Sequence, residues 1–102
     1  MHMENKTNNL YEKVITRVKL MEQYMDEVSE VLKNCPESLK ENKEIRLKIT
    51  ELENYQKSGQ WLLDYECDER GELPIGLKRG ILSEDMLYNL LCDVMVWKEK
   101  IE

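Results

Sequence analysis

Five carboxylates lie within nine residues in the second half of the chain, a density that could bind a hard cation such as Ca²⁺ or Mg²⁺ through oxygen ligands. They are Asp64, Glu66, Asp68, Glu69 and Glu72. The spacing departs from that of an EF-hand, whose sixth position would here be Glu69 instead of Gly and whose twelfth would be Ile75 instead of Glu. We therefore interpret the segment as a solvated or ion-paired acidic loop, and we predict neither a metal nor a cofactor.

Nucleophilic catalysis would need a Ser, Cys or Thr activated by a base, which is usually His. The single histidine is His2, and it lies far along the chain from Cys35, Cys67 and Cys92. Two carboxylates could also act as acid and base on a glycoside, but that chemistry needs a cleft that a small helical domain rarely supplies. The sequence thus predicts no enzyme. Because the cysteines form no C-x-x-C pair, it predicts three reduced and buried thiols.

A basic pair, Lys78 and Arg79, lies between the acidic segment and a helix-capping serine. Two interpretations are open. In the first, these cations pair with Asp64, Asp68 or Asp85 and fold the loop onto the body of the protein. In the second, they hold an anion or a partner's carboxylate at the start of the last helix. We favour the first; the nearby glycines match neither of the phosphate-binding motifs G-x-x-x-x-G-K-[ST] and G-x-G-x-x-G.

Helices must position these groups, and the spacing of apolar residues predicts where the helices lie in the sequence. Alternating steps of three and four predict a long first helix, with a seam formed by Tyr11, Val14, Val18, Met21, Met25, Val28 and Leu32. Further apolar residues widen this seam, which favours packing in a core over a dimeric coiled coil. The helix is predicted to end at Asn34-Cys35-Pro36, because the residue before a proline avoids the α region. Pro36 then suits the first turn of a short helix.

A second long helix is predicted to begin near Lys43, with a bend or short break at Ser58-Gly59. Its buried face consists of Ile45, Ile49, Leu52 and Tyr55. An irregular loop follows over residues 66–82, where the apolar periodicity lapses. Ser83 is a good N-cap and predicts a third helix from residue 84. The buried stripe of that helix is Leu87, Leu90, Leu91, Val94, Trp97 and Ile101.

The composition restricts the class of protein. A chain of 102 residues forms one domain, and 41 % apolar with 35 % charged residues favours solvent-washed helices over a disordered tail. The formal net charge of −6 disfavours direct binding to nucleic acid or to an anionic membrane surface. Lacking a signal peptide and a membrane-spanning apolar run, the protein is expected to be cytoplasmic. Residues 1–8 are expected to be disordered or to include a remnant that precedes a native start at Met3.

Many polar positions between residues 58 and 91 form a specific string. It comprises Ser58-Gly59-Gln60-Trp61-Leu62, Asp64-Tyr65-Glu66, Asp68-Glu69, Gly71, Leu73-Pro74, the run from Leu77 to Asp85 and the run from Leu87 to Leu91. With this string the chain resembles domain-of-unknown-function family 4298 from roughly Val18 onward. The resemblance implies a bacterial source, phages and mobile elements included, and a family without an assigned activity. It implies no catalytic residue, and it directs attention to the loop for a site.

We predict an all-α fold in which an antiparallel hairpin of about residues 8–33 and 43–65 carries a third helix packed across it. The loop of residues 66–82 would cover one end, and monomer and homodimer both remain open. The expected function is a non-enzymatic protein-interaction module that binds an unknown bacterial protein through the 58–82 surface or an exposed side of the first helix. The candidate partner-binding residues are Trp61, Asp64, Tyr65, Lys78, Arg79 and Asp85. One alternative is an acidic inhibitor or nucleic-acid mimic acting on a nuclease; another is a metal- or small-ligand-binding protein that uses the acidic loop.

Overall fold

The computed structural model describes the backbone of residues 2–101 and the side chains of residues 11–100. The α-helices are α1 (His2–Asn34), α2 (Lys43–Lys57), α3 (Gln60–Glu69) and α4 (Met86–Ile101), and short 3₁₀ helices span Pro36–Lys40 and Gly80–Leu82. Residues 2–101 contain no β-strand. The predicted all-α fold is therefore confirmed. Within the same residues, no helix is both long and apolar enough to cross a membrane.

Helix α1 begins at His2, well before the predicted start near residue 8. The expectation that residues 1–8 are disordered or include a remnant before a native start at Met3 stays a prediction, and residue 1 lies outside the described residues. The apolar seam from which the start was predicted reports burial, whereas a helix can continue past its buried stripe. The other end of α1 agrees with the prediction, since the helix stops at Asn34 and Pro36 opens the first 3₁₀ helix.

Helices α1 and α2 form the predicted antiparallel hairpin. Lys48 of α2 pairs with Glu27 of α1 at 3.0 Å. Further along α2, Tyr55 binds Asp64, and Asp64 also binds Arg17, which lies earlier on α1. On α1 the seam residues buried in the core are Val18, Met21, Met25 and Val28. On α2 the buried residues are Ile45, Ile49, Leu52 and Tyr55, as the sequence predicts.

The second arm of the hairpin consists of two helices. Helix α2 starts where predicted, because the Asn42 side chain caps it by accepting a hydrogen bond from the Ile45 N–H at 3.0 Å. It ends at Lys57, and Gly59 adopts the left-handed conformation with φ of 86°, which only glycine adopts without strain. This is the predicted break. Helix α3 then runs to Glu69, so the irregular loop begins at residue 70 instead of 66.

Helix α4 starts at Met86, two residues after the predicted position. Ser83 still caps the helix, since its hydroxyl oxygen accepts a hydrogen bond from the Met86 N–H at 3.2 Å. The helix packs against both 3₁₀ helices and against α1 and α2. Leu87, Leu90 and Val94 are buried as predicted, and Leu91 and Trp97 are half-buried. The side chain of Ile101 lies outside the described residues.

The prediction that all three cysteines are buried is wrong for two of them. Cys67 is buried in α3, but Cys35 and Cys92 are exposed. Cys35 lies in the junction between α1 and the first 3₁₀ helix, and Cys92 lies on the face of α4 that points away from Leu87, Leu90 and Val94. Burial of a thiol depends on which side of a helix it occupies, and composition does not report that.

Candidate interaction site between residues 58 and 85

Asp64 is the centre of a buried polar network. Its side chain is 1 % exposed. The guanidinium of Arg17 donates two hydrogen bonds to it, from Nε to Oδ2 at 2.8 Å and from Nη2 to Oδ1 at 2.7 Å. The Tyr55 hydroxyl donates to Oδ2 at 2.7 Å, and the Gln60 amide donates to Oδ1 at 3.2 Å. Asp64 therefore joins α1, α2 and α3 inside the protein instead of facing a partner.

The network keeps Arg17 charged and the Tyr55 hydroxyl protonated. The hydrogen bond to Asp64 raises the pKa of Arg17, which keeps the guanidinium charged. Burial, and then the hydrogen bond to Asp64, raises the pKa of Tyr55 far above its ordinary value. A bidentate guanidinium–carboxylate pair with a third donor is a geometry that offsets the desolvation of a buried carboxylate. The network is thus built to hold three helices together.

Trp61 and Tyr65 lie on α3 against the second 3₁₀ helix. The indole Nε1 of Trp61 donates to the carbonyl oxygen of Ile81 at 2.7 Å, and its ring stacks on that of Tyr65 with centroids 5.0 Å apart. The Tyr65 hydroxyl donates to Glu84 Oε1 at 2.9 Å, and this bond raises the pKa of Tyr65 to about 12. Both aromatic rings thus attach α3 to the segment that leads into α4.

Arg79 uses its donors within the loop. It pairs with Asp68 on α3, and it also donates to main-chain oxygens of Pro74, Ile75 and Leu77. The Arg79–Asp68 pair is one of the internal pairs that the sequence predicts. A guanidinium carries five N–H donors in a fixed fork, so one side chain can gather several carbonyls of an irregular segment. Arg79 therefore orders the loop from within.

Lys78 and Asp85 are the exposed members of the predicted site. Lys78 is 77 % exposed and its Nζ lies 3.4 Å from Oδ2 of Asp26 on α1. This partner differs from the predicted ones, Asp64, Asp68 and Asp85. The Asp85 side chain is exposed, and its main-chain carbonyl accepts the first α-helical hydrogen bond of α4, from Asn89, at 2.8 Å. Of the six candidate residues, these two leave their charges in water.

Glu22 is a second buried carboxylate that the sequence analysis did not single out. It is 6 % exposed, and its Oε1 accepts a hydrogen bond from the Ile81 N–H at 2.7 Å. A Cβ atom on Gly80 would lie 3.1 Å from Glu22 Oε2, so the glycine leaves room for this approach. The Ile81 peptide groups are therefore held on both sides, by Glu22 through the N–H and by Trp61 through the carbonyl.

The acidic segment does not converge on a common point. Asp64 meets Arg17, Asp68 meets Arg79, and Glu72 meets Arg70. Within the described side chains, no group of three or more His, Cys, Asp or Glu residues is placed to hold a metal ion. Arg70, followed by the Cys67 thiol, lowers the pKa of Glu72. Burial, together with the bond to Glu72, raises the pKa of Cys67 and keeps it a thiol, which is a poor nucleophile.

A surface that the sequence analysis missed lies on the outer face of α4. Tyr88, Met95 and Val96 are 60 %, 62 % and 49 % exposed, and Cys92 between them is exposed as well. At 3.6 residues per turn, positions 88, 92, 95 and 96 share one face of the helix. We call these four residues the α4 stripe. Their spacing was visible in the sequence, but the stronger stripe of Leu87, Leu90 and Val94 on the opposite face explained the helix by itself.

Comparison with protein families returns one assignment. The model of a family described as domain of unknown function (DUF4298) matches residues 18–99. The chain belongs to the DUF4298 family. Comparisons with curated proteins and with solved structures return no match. The resemblance stated from residues 58–91 is thereby confirmed.

The matched range of this DUF4298 member includes Glu22, Asp64 and the whole α4 stripe, whereas Arg17 precedes it. The sequence contains a signal for Arg17 and Glu22, the two charged residues that were not predicted as part of the site. Arg17 lies one turn from the seam residues Val14 and Met21, and Glu22 lies one turn from Val18 and Met25. A charge placed within an apolar stripe indicates a buried and paired group. What the sequence does not give is the partner of either charge.

Proposed function

We propose that this DUF4298 member is a non-enzymatic protein-interaction module that binds another bacterial protein through the α4 stripe. The observation that carries the proposal is the exposure of Tyr88, Cys92, Met95 and Val96 together on one helix face. Scattered apolar residues on a surface are ordinary, whereas several on one face mark interaction sites. Tyrosine and methionine are also enriched where proteins meet.

The contacts of the loop favour α4 over the 58–82 surface as the binding face. Trp61, Asp64 and Arg79 each satisfy their polar groups within the chain. A partner that recognised these groups would have to break bonds that attach the loop to α1 and α3. Binding at the α4 stripe has no such cost. Its apolar atoms are exposed to water, and covering them with a partner is favourable through the hydrophobic effect.

The absence of an enzymatic role is supported by the chemistry of the candidate groups. The Cys67 thiol donates to Glu72 Oε1 at 3.4 Å, and burial together with this bond raises its pKa, which leaves it a weakly nucleophilic thiol. A groove of about 500 Å³ between α1 and α2 is lined by Tyr24, Leu47 and Lys48 among others. Neither Asp64 nor Glu22 opens into it, and these are the charged residues that the fold buries.

Affinity capture with matched variants tests the proposal. The bait is the full chain with Met95→Glu, and the control is Leu47→Glu, which introduces the same charge at an exposed leucine of α2. We expect a bacterial protein that is captured by the wild type and by Leu47→Glu but lost with Met95→Glu. Thermal melting of each variant should show an intact fold.

A third bait, Lys78→Ala, compares the stripe with the loop. Lys78 is exposed and makes one weak ion pair, so its removal does not disturb the fold. If the partner is lost with Lys78→Ala and retained with Met95→Glu, the loop is the binding face and our assignment to α4 is wrong. If no partner is captured by the wild type, the interaction-module proposal fails.

A further inference from the structure

We infer that the α4 stripe receives an amphipathic helix of the partner protein, one whose apolar stripe has a Lys or Arg at each end. This inference rests on the proposed function and names the chemistry of the partner. It follows from three features of α4, namely the length of its apolar face, the charges at the ends of that face, and the effect of those charges on a second copy of the chain.

The apolar face has the width and length of a helix contact. Cys92 is its centre, and Tyr88, Met95 and Val96 lie within about 60° of Cys92 around the helix axis at 3.6 residues per turn. The four residues extend over a little more than two helical turns. Amphipathic helices bind grooves and faces through residues at such i, i+4 and i+7 positions.

Carboxylates mark both ends of the face. Asp85 and Glu99 are exposed and lie fourteen residues apart, which is about 21 Å along a helix. Glu99 falls within about 20° of the Cys92 direction, and Asp85 immediately precedes α4, where its main-chain oxygen accepts the first hydrogen bond of the helix. Among side chains 11–100, neither Asp85 nor Glu99 is in an ion pair with Lys or Arg. A bound helix with a basic residue near each end would complement these charges.

Among side chains 11–100, the lysines in the last turn of α4, Lys98 and Lys100, make no ion pair with Asp85 or Glu99. The Nζ of Lys100 lies 5.0 Å from the centre of the Trp97 ring. Trp97 packs against the core and is on the opposite side of α4 from the stripe. Lys98 is half-buried on that side as well. The stripe is therefore framed by negative charge, and charge complementarity selects a partner with the opposite sign.

The same charges disfavour a second copy of this chain as the occupant. If two α4 helices packed antiparallel about Cys92, Asp85 of one copy would oppose Glu99 of the other. If they packed parallel, each carboxylate would lie beside its own equivalent. Both arrangements place like charges together at the ends of the apolar contact, which destabilises it. An anionic membrane surface is disfavoured for the same reason.

Two synthetic peptides test the inference. Both are capped helices with the same four-leucine stripe at i, i+4, i+7 and i+8. One peptide has Lys seven residues before and seven residues after the leucine at i+4, and the other has Glu at these two positions. We expect fluorescence anisotropy to show about tenfold tighter binding of the Lys peptide to the full chain. The preference should disappear in the double variant Asp85→Asn, Glu99→Gln. Met95→Glu should remove binding of both peptides, whereas Leu47→Glu should not.

The outcomes separate the inference from the proposed function. Equal binding of the two peptides, or a Lys preference that survives in the double variant, overturns the charge complementarity while leaving the stripe as a binding face. Failure of both peptides to bind overturns a helix as occupant, and the capture experiment then decides the function independently. Self-association in sedimentation that Met95→Glu abolishes would assign the stripe to a second copy. Binding to phosphatidylglycerol vesicles with the same loss would assign it to a membrane.

Discussion

The loop between α3 and α4 and the outer face of α4 use their side chains in opposite ways. The loop and its surroundings are rich in charged residues, yet Asp64, Glu22 and Arg79 satisfy their charges inside the chain. The α4 stripe is apolar, yet Tyr88 and Met95 are more than half exposed. Residue type therefore does not distinguish the scaffold from the surface in this protein.

The physical reason lies in what each segment can pack against. An irregular segment has main-chain N–H and C=O groups without helical partners, and burying these groups requires other polar groups to bind them. Glu22, Trp61 and Arg79 supply those bonds. A helix satisfies its own main chain, so α4 can bury one apolar stripe and leave the second in water. The loop thus binds polar side chains through its main-chain groups, while α4 leaves apolar side chains exposed to solvent.

Asp64→Ala is the substitution with the largest expected effect, because it tests whether the loop region is scaffold. Removing the carboxylate leaves the Arg17 guanidinium and the Tyr55 hydroxyl without their shared acceptor. The free energy of unfolding should fall by about 3 kcal/mol, the lower end for a broken buried pair, since Arg17 is partly exposed and can rehydrate. Urea unfolding followed by circular dichroism measures it. Asp26→Ala, which breaks the exposed pair with Lys78, is the control and should change stability by less than about 1 kcal/mol.

Glu22→Ala tests whether the loop depends on a carboxylate from α1. The variant leaves the buried Ile81 N–H without an acceptor, which should cost about 2 kcal/mol. Glu22→Gln retains an oxygen acceptor at the same place and should lose clearly less. Equal losses from the two substitutions would mean that the charge of Glu22 matters and not its bond to Ile81, because Gln retains both the volume and an oxygen acceptor. Protection of the Ile81 amide from hydrogen exchange reports the same bond directly.

Tyr55→Phe tests the buried Asp64 network through the pH dependence of the unfolding free energy. Loss of the bond to Asp64 should cost about 1.5 kcal/mol near neutral pH. Burial raises the pKa of Tyr55 above the ordinary value of 10.0, so the unfolded state loses the phenolic proton first as pH rises. The stabilisation by Tyr55 is therefore complete below pH 10 and decreases above it. The gap in unfolding free energy between wild type and variant should narrow above pH 10; a constant gap would contradict this account.

Met95→Glu should have the smallest effect on stability and tests the other half of the comparison. The side chain is exposed on α4, so the unfolding free energy should change by no more than about 0.5 kcal/mol. The matched control is Leu47→Glu on α2. A loss of more than about 1.5 kcal/mol would show that Met95 packs against the body of the protein. The α4 stripe would then not be an exposed surface open to a partner.

The sequence predicted elements more accurately than contacts. The seam from Val18 to Val28, the start of α2 near Lys43, the break at Gly59 and the cap at Ser83 each follow from residues that are neighbours in the chain. The candidate site was predicted less well. Trp61, Asp64 and Arg79 bind partners within the chain, and the α4 stripe was not selected. Helical periodicity identifies which residues share a face, and it does not say which of two apolar faces the body will cover.

By itself the sequence determined an acidic all-α chain, the pairing of its first two long helical segments, and the membership of the DUF4298 family. These follow from local preferences, namely apolar periodicity, capping side chains and the conformations of proline and glycine. Only the tertiary structure decided that Asp64 meets Arg17 across 47 residues of chain, that Glu22 and Trp61 hold the two sides of Ile81, and that Tyr88 and Met95 remain in water. Pairing of charges and covering of surfaces depend on distances between helices, and no pattern along the chain encodes those distances.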